Sequence, residues 1–173
     1  MHNLFDILGL PASYTLDERA LEQAYFAAQR ATHPDRLIGK PEAERIAAFE
    51  QSQLVNDAYE TLKDPLARAE HLLALRGVIV NADDSRDVPP MLLMEMMELR
   101  ERLEESAQSG VALAGVVGEI KQQAGDSQRA LATAFASDDL DAAAQETTRL
   151  AYVMKALEQA HMLIYRLKAQ AQS

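Results

Sequence analysis

The sequence predicts an all-α protein in two parts, an N-terminal unit built on a helical hairpin and a C-terminal three-helix bundle. Three observations predict it. Helix breakers are few, with 7 Gly and 6 Pro in 173 residues, and strand-favouring aromatics make up only 5%. Apolar residues recur at steps of three and four along most of the chain, the period of a helix face. One stretch alone, Asn81 to Pro90, gathers Asp83, Asp84, Ser85, Asp87 and two prolines, and reads as a linker. The expected units are residues 1–76 and 91–173, joined by 77–90.

Each element follows from local chemistry. Leu4-Phe5-Asp6-Ile7-Leu8 is a short helix stopped near Gly9 and Pro11. Thr15-Leu16-Asp17-Glu18 has the spacing of a capping box, with Thr15 accepting from the third helical N–H and Glu18 reaching back. The helix it opens runs to about Thr32, with Leu21, Tyr25 and Ala28 on one face. Pro34 ends it, because proline disfavours helical geometry in the residue before it. A third helix spans about Pro41 to Lys63, its apolar face made of Ile46, Leu54, Val55, Ala58, Tyr59 and Leu62. Asp64-Pro65 is a cap followed by a first-turn proline and starts a fourth helix, which carries Leu72, Leu73 and Leu75 and ends at Gly77.

Beyond the linker, helices are expected over about 91–107, 111–135 and 139–170, with breaks at Ser109-Gly110 and Ser137-Asp138-Asp139. In the last of them Leu140, Ala143, Thr147, Leu150, Met154, Leu157, His161 and Ile164 alternate steps of three and four. That is a seam facing the other helices of an antiparallel bundle.

Composition excludes several functions. The net charge is −10, which argues against nucleic acid and anionic membranes as partners and leaves room for a basic protein partner. With no cysteine, the chain forms no disulfide, no thiolate metal site and no thiol nucleophile. No apolar run is long enough to span a membrane, and Met1-His2-Asn3-Leu4 does not begin a signal peptide, so a reducing cytoplasm is the default. His2, His33, His71 and His161 are scattered, without metal-ligand spacing, and Asp83, Asp84 and Asp87 lack the pattern of an EF-hand loop. There is no glycine-rich nucleotide loop. No metal, cofactor or catalytic residue is expected, and the chain is not expected to be an enzyme.

Two segments stand out. The first is His33-Pro34-Asp35, between two helices. Taken alone it is a helix-end imidazole, a proline stop and ordinary turn chemistry. Nothing near it offers a nucleophile or an oxyanion hole, so a catalytic dyad is a poor reading. The second segment is Met91 to Glu105. On a helix, Leu92, Met96, Leu99 and Leu103 share the core stripe, while Met94, Met97, Glu98, Glu101 and Glu105 fall opposite, with Leu93 on the shoulder. Four of the 7 methionines lie here. A helix buried on both sides, with methionines as filler, accounts for the thioethers but not for three carboxylates on the same face. An apolar patch running into a charged stripe is what a partner-binding surface looks like.

The combination of His33-Pro34-Asp35, a preceding helix with Leu21 and Tyr25, and a following helix Leu54-Val55-Asn56-Asp57-Ala58-Tyr59 resembles the J-domain over residues 3 to about 76. The resemblance implies a protein that docks on a DnaK-like ATP-dependent chaperone and stimulates its ATP hydrolysis, through His33, Pro34, Asp35 and Arg36, with Arg30 beside them. The basic face that such second helices usually carry is thin here, with Arg19 and Arg30 set against Asp17, Glu18 and Glu22. Steering should be modest, which fits a dedicated partner.

Leu8-Gly9-Leu10-Pro11, His33-Pro34-Asp35-Arg36, Pro65-Leu66-Ala67-Arg68-Ala69-Glu70-His71-Leu72-Leu73 and Leu93-Met94-Glu95 running into Glu98-Leu99-Arg100-Glu101 extend the likeness. Nearly the whole chain resembles the HscB-type co-chaperones of iron–sulfur cluster biogenesis. That resemblance implies HscA as the chaperone and the scaffold protein IscU as the client. It also implies a scaffold-binding face of Leu93, Met94, Met97, Glu98, Glu101 and Glu105, joined by Tyr152, where the family tends to place an aromatic. The rival readings are a J-domain co-chaperone for a different client, and a structural helical adaptor in which the tripeptide is accidental.

Overall fold

The computed structural model describes residues 2–31, 39–80, 88–107 and 110–170. Those residues form seven helices and divide into two compact units, Met1–Val78 and Ile79–Ser173.

The first unit holds α1 (Leu4–Leu8), α2 (Glu18–Ala31), α3 (Glu42–Lys63) and α4 (Pro65–Leu75). Asn3 caps α1 by accepting from the Phe5 N–H, and Gly9 closes it at φ 66°, a conformation glycine adopts without a Cβ penalty. α2 opens two residues later than its sequence suggests. Its first residue is Glu18, and the Asp17 carboxylate, not the Thr15 hydroxyl, accepts from the Arg19 N–H at 2.9 Å. A carboxylate at the positive end of the helix is the stronger acceptor, so it displaces the capping box.

Asp64 serves two helices. Its N–H donates to the Glu60 carbonyl at the end of α3, and its side chain accepts from the Ala67 N–H at 2.8 Å at the start of α4. α4 ends at Gly77, φ 81°, where the Val78 N–H reaches back to the Leu73 carbonyl.

α2 and α3 lie side by side and antiparallel. Tyr25 stacks on Tyr59 with ring centroids 4.3 Å apart. The Tyr25 hydroxyl donates to Asn56 Oδ1 at 3.0 Å, and Gln29 donates to the same oxygen. Ser52 donates to Gln29 Oε1 at 3.4 Å. α1 and α4 pack against α3 at its other end, and Phe5, Leu21, Val55, Ala58, Leu62, Ala69 and Leu73 fill the core between them. Ile46, expected in the apolar face of α3, is 52% exposed. It lies in the first turns of α3, six residues before the Ser52 that pairs with Gln29.

The second unit is a three-helix bundle of α5 (Pro90–Ser106), α6 (Gly110–Ala136) and α7 (Leu140–Gln170). α6 and α7 form an antiparallel hairpin and make the most extensive helix pair of the molecule. Asp138 turns the corner at φ 57°, and the Asp139 N–H closes on the Ala134 carbonyl at 2.9 Å. Asp139 then caps α7 by accepting from the Ala142 N–H at 3.0 Å.

Leu92, Leu99 and Leu103 of α5 pack into this hairpin. The seam of α7 is buried at Ala143, Thr147 and Leu150, and the Thr147 hydroxyl is satisfied by the Ala143 carbonyl at 2.7 Å. The seam does not extend to His161, which is exposed, because the buried stripe passes one residue earlier there, through Val153 and Ala160.

Candidate functional site

Sequence reasoning points to two surfaces. Of the first, His33, Pro34, Asp35 and Arg36 lie outside the described residues, as do residues 81–87 of the linker. Arg30 is exposed in the last turn of α2. The two helices that flank the tripeptide are clasped to each other by the stacked tyrosines and the Tyr25–Asn56–Gln29–Ser52 hydrogen bonds.

The other end of that hairpin is held by two buried polar residues of α4. Arg68 donates from Nε to the Leu62 carbonyl at 2.6 Å and from its two terminal nitrogens to the Tyr14 carbonyl at 2.8 Å and the Lys63 carbonyl at 3.3 Å. Two of these acceptors are among the last carbonyls of α3, which have no partner within their own helix. Burial lowers the pKa of the Arg68 guanidinium, with the neighbouring Tyr14 and Asp64 acting against that shift, and burial raises that of the Tyr14 hydroxyl to about 12.

One turn along α4, His71 Nε2 accepts from the Leu4 N–H at 3.1 Å and the ring sits 6.0 Å from that of Phe5. Burial lowers the His71 pKa, so the imidazole is neutral at pH 7, with its proton on Nδ1. Sequence reasoning missed both roles. The available signal was a pair of polar residues three apart on the stripe that also carries Leu72.

The second surface is the outer face of α5. Met94 is 63% and Met97 65% exposed, and Glu98, Glu101 and Glu105 are exposed beside them. Leu93 is half-buried at the edge. The residues run from apolar to acidic over about 16 Å of helix. None of the three carboxylates forms an ion pair among the described residues. The neighbouring acids do: Glu104 pairs with Arg100 at 3.2 Å, Glu119 of α6 with Arg102, and Glu95 with Arg149 of α7. The face therefore carries uncompensated negative charge next to solvent-exposed thioethers.

α5 and α7 run parallel. Val88 and Pro89 lie over Ala144, Gln145 and Thr148, and Arg100, Leu103 and Glu104 border a groove of about 510 Å³ with Glu158, Gln159, Met162 and Arg166. Tyr152 shares a face of α7 with Gln145, Thr148 and Gln159, so it sits on the α5 side, half-buried, one turn past the Arg149–Glu95 pair. Lys155 lies over its ring, with the ammonium 5.6 Å from the centroid. The arrangement suits capture of a protein surface. Among the described residues no group of His, Asp and Glu is placed to hold a metal ion, and no helix is long and apolar enough to cross a membrane.

Comparison with known proteins covers both units. The family described as "DnaJ domain" matches residues 3–71, and the family described as "HSCB C-terminal oligomerisation domain" matches residues 88–161. A "Co-chaperone protein HscB homolog" of Burkholderia multivorans is 36% identical over 95% of this chain and 95% of its own length. A relative of the same name from Vibrio cholerae is 47% identical over 59% of this chain and 60% of its own. Among solved structures, chaperone HscB from Vibrio cholerae superposes with a TM-score of 0.84 at 34% identity, covering 96% of this chain and 99% of that one. Human co-chaperone protein HscB gives 0.88 at 28% identity, over 94% of this chain and 82% of that one. An all-α chain with a DnaJ domain before a three-helix bundle, matched along almost its full length by the Burkholderia multivorans relative and by both solved structures, belongs to the HscB family of J-domain co-chaperones.

Proposed function

We propose that the chain is a two-ended adaptor in iron–sulfur cluster biogenesis. One end, His33, Pro34, Asp35 and Arg36 with Arg30, engages the DnaK-like chaperone HscA and stimulates its ATPase. The other end, Leu93, Met94, Met97, Glu98, Glu101, Glu105 and Tyr152, holds the scaffold protein IscU and delivers it. Asp35 is a compact anion suited to an arginine of the chaperone, and Pro34 limits the freedom lost on docking. The chain triggers hydrolysis in its partner and performs no chemistry itself. Carrying both ends on one chain raises the concentration of client at the chaperone without any new contact.

The observation that carries this reading is the outer face of α5, where two thioethers more than 60% exposed adjoin three carboxylates with no ion pair among the described residues, in a chain of the HscB family. A monomer gains nothing by exposing such a patch, and a partner with an apolar pocket rimmed by basic residues fits it.

The test is titration calorimetry of the intact chain with IscU. The double variant Leu93→Ala/Met97→Ala is expected to bind about tenfold weaker or worse, the loss of two apolar contacts near the centre of an interface, with unchanged circular dichroism. Equal affinity for variant and parent removes this face as the scaffold site. Capture of a different client through the same residues would support a J-domain co-chaperone serving another pathway.

A further inference from the structure

We infer that Met91, Met94 and Met97 make the partner-binding face of α5 sensitive to oxidation, so that a hydroperoxide releases the scaffold and thiol-dependent reduction restores binding. This rests on the reading of that face as the scaffold site.

The three residues are 73%, 63% and 65% exposed and follow one another at steps of three along about 9 Å of helix. They form a short ribbon of sulfur open to solvent. Met96 and Met154 are half-buried, and Met162, 55% exposed, stands apart on α7 beside the groove near Leu103. The chain has no cysteine, so no thiol competes for oxidant. Reactivity toward peroxide follows access to the sulfur, which places these thioethers first among those described.

The reaction is a two-electron oxygen transfer. A sulfur lone pair attacks one peroxide oxygen, the O–O bond breaks heterolytically, and an S–O bond forms. The other oxygen leaves with the electron pair of the broken bond and takes up a proton, as water from hydrogen peroxide or as an alcohol from an alkyl hydroperoxide. Sulfur is oxidised by two electrons and the peroxide is reduced by two. In the reverse direction a dithiol supplies two electrons and two protons, becomes a disulfide, and the oxygen departs as water.

Exposure decides where the cost falls. In the free chain each sulfoxide points into water, so the fold loses little. In the complex the same groups are buried. A strongly accepting S–O dipole must then give up its water, next to Glu98 and Glu101, which are acceptors already. Oxidation thus penalises docking selectively.

The experiment treats the intact chain with hydrogen peroxide and removes the oxidant with catalase. It then locates sulfoxides by peptide mass mapping and titrates apo-IscU calorimetrically. The expected result is sulfoxide at Met91, Met94 and Met97 ahead of Met96 and Met154. Circular dichroism stays unchanged and affinity falls by about tenfold or more, recovering after methionine sulfoxide reductases A and B with dithiothreitol. In M91L/M94L/M97L, measured against its own untreated affinity, peroxide has no effect, whereas M162L remains as sensitive as the parent.

Unchanged affinity in a chain carrying the three mapped sulfoxides overturns the inference and leaves the scaffold site standing. So does an equal loss in the triple leucine variant. Failure of the untreated chain to bind IscU removes the scaffold site itself, and the oxidation switch with it.

Discussion

The fate of single polar side chains inside the first unit shows how much depends on backbone groups that have no partner within their own element. Arg68 spends its guanidinium on carbonyls of Leu62, Lys63 and Tyr14, and His71 spends its Nε2 on the Leu4 N–H. Neither role was legible in the sequence, because the partners of Arg68 and His71 lie up to 54 and 67 positions away. The bond to Leu4 contributes on the order of 1 kcal/mol.

It also has a pH signature. Burial lowers the His71 pKa below its ordinary 6.5, so the folded chain binds fewer protons than the unfolded chain. The contribution is complete above pH 6.5 and is lost as pH falls through the folded-state value below it. Urea midpoints measured from pH 8 to 5 are expected to decline in the acid part of that range. In His71→Gln, whose amide oxygen can stand in for Nε2 without titrating, the difference from the parent should shrink as pH falls.

Helix ends were legible because their chemistry is local. Gly9, Asp64-Pro65 and Gly77 stop and start helices in the structure at the positions their residue types dictate. Asp138 takes the left-handed place that glycine usually fills, as a short acidic side chain can. Faces were less legible over whole helices. Ile46 and His161 keep the right period, yet both are exposed, and along α7 the buried stripe passes through Val153 and Ala160 instead of Met154 and His161. The outer face of α5 was readable as exposed because three carboxylates rule out burial on both sides. The half-burial of Tyr152 needed the parallel course of α5 and α7 to be seen.

At this scale Asp64 is the joint to test. Asp64→Ala removes the cap of α4 and is expected to cost about 1 kcal/mol, shifting the urea midpoint down without changing the slope of the transition.

On the adaptor function proposed above, the two ends must fail separately. His33→Gln is expected to abolish stimulation of HscA ATP hydrolysis while leaving IscU affinity and circular dichroism unchanged, as read in a steady-state ATPase assay and a parallel titration. Retained stimulation removes the tripeptide as the trigger. Leu93→Ala/Met97→Ala should do the reverse, weakening IscU binding while basal HscA stimulation by the free chain persists.

The corner at Asp138 carries a consequence for the order of assembly. A connection of three residues makes the longest helices of the chain neighbours in sequence as well as in space, so the chain entropy lost in closing them is small. α6 and α7 can zip from that corner as a nucleus, and α5 then docks on a preformed groove. Kinetics should divide accordingly. Leu150→Ala, inside the hairpin, slows refolding, while Leu99→Ala, on the late-arriving helix, mainly speeds unfolding. The helix whose outer face we assign to a partner is then also the one the bundle releases first.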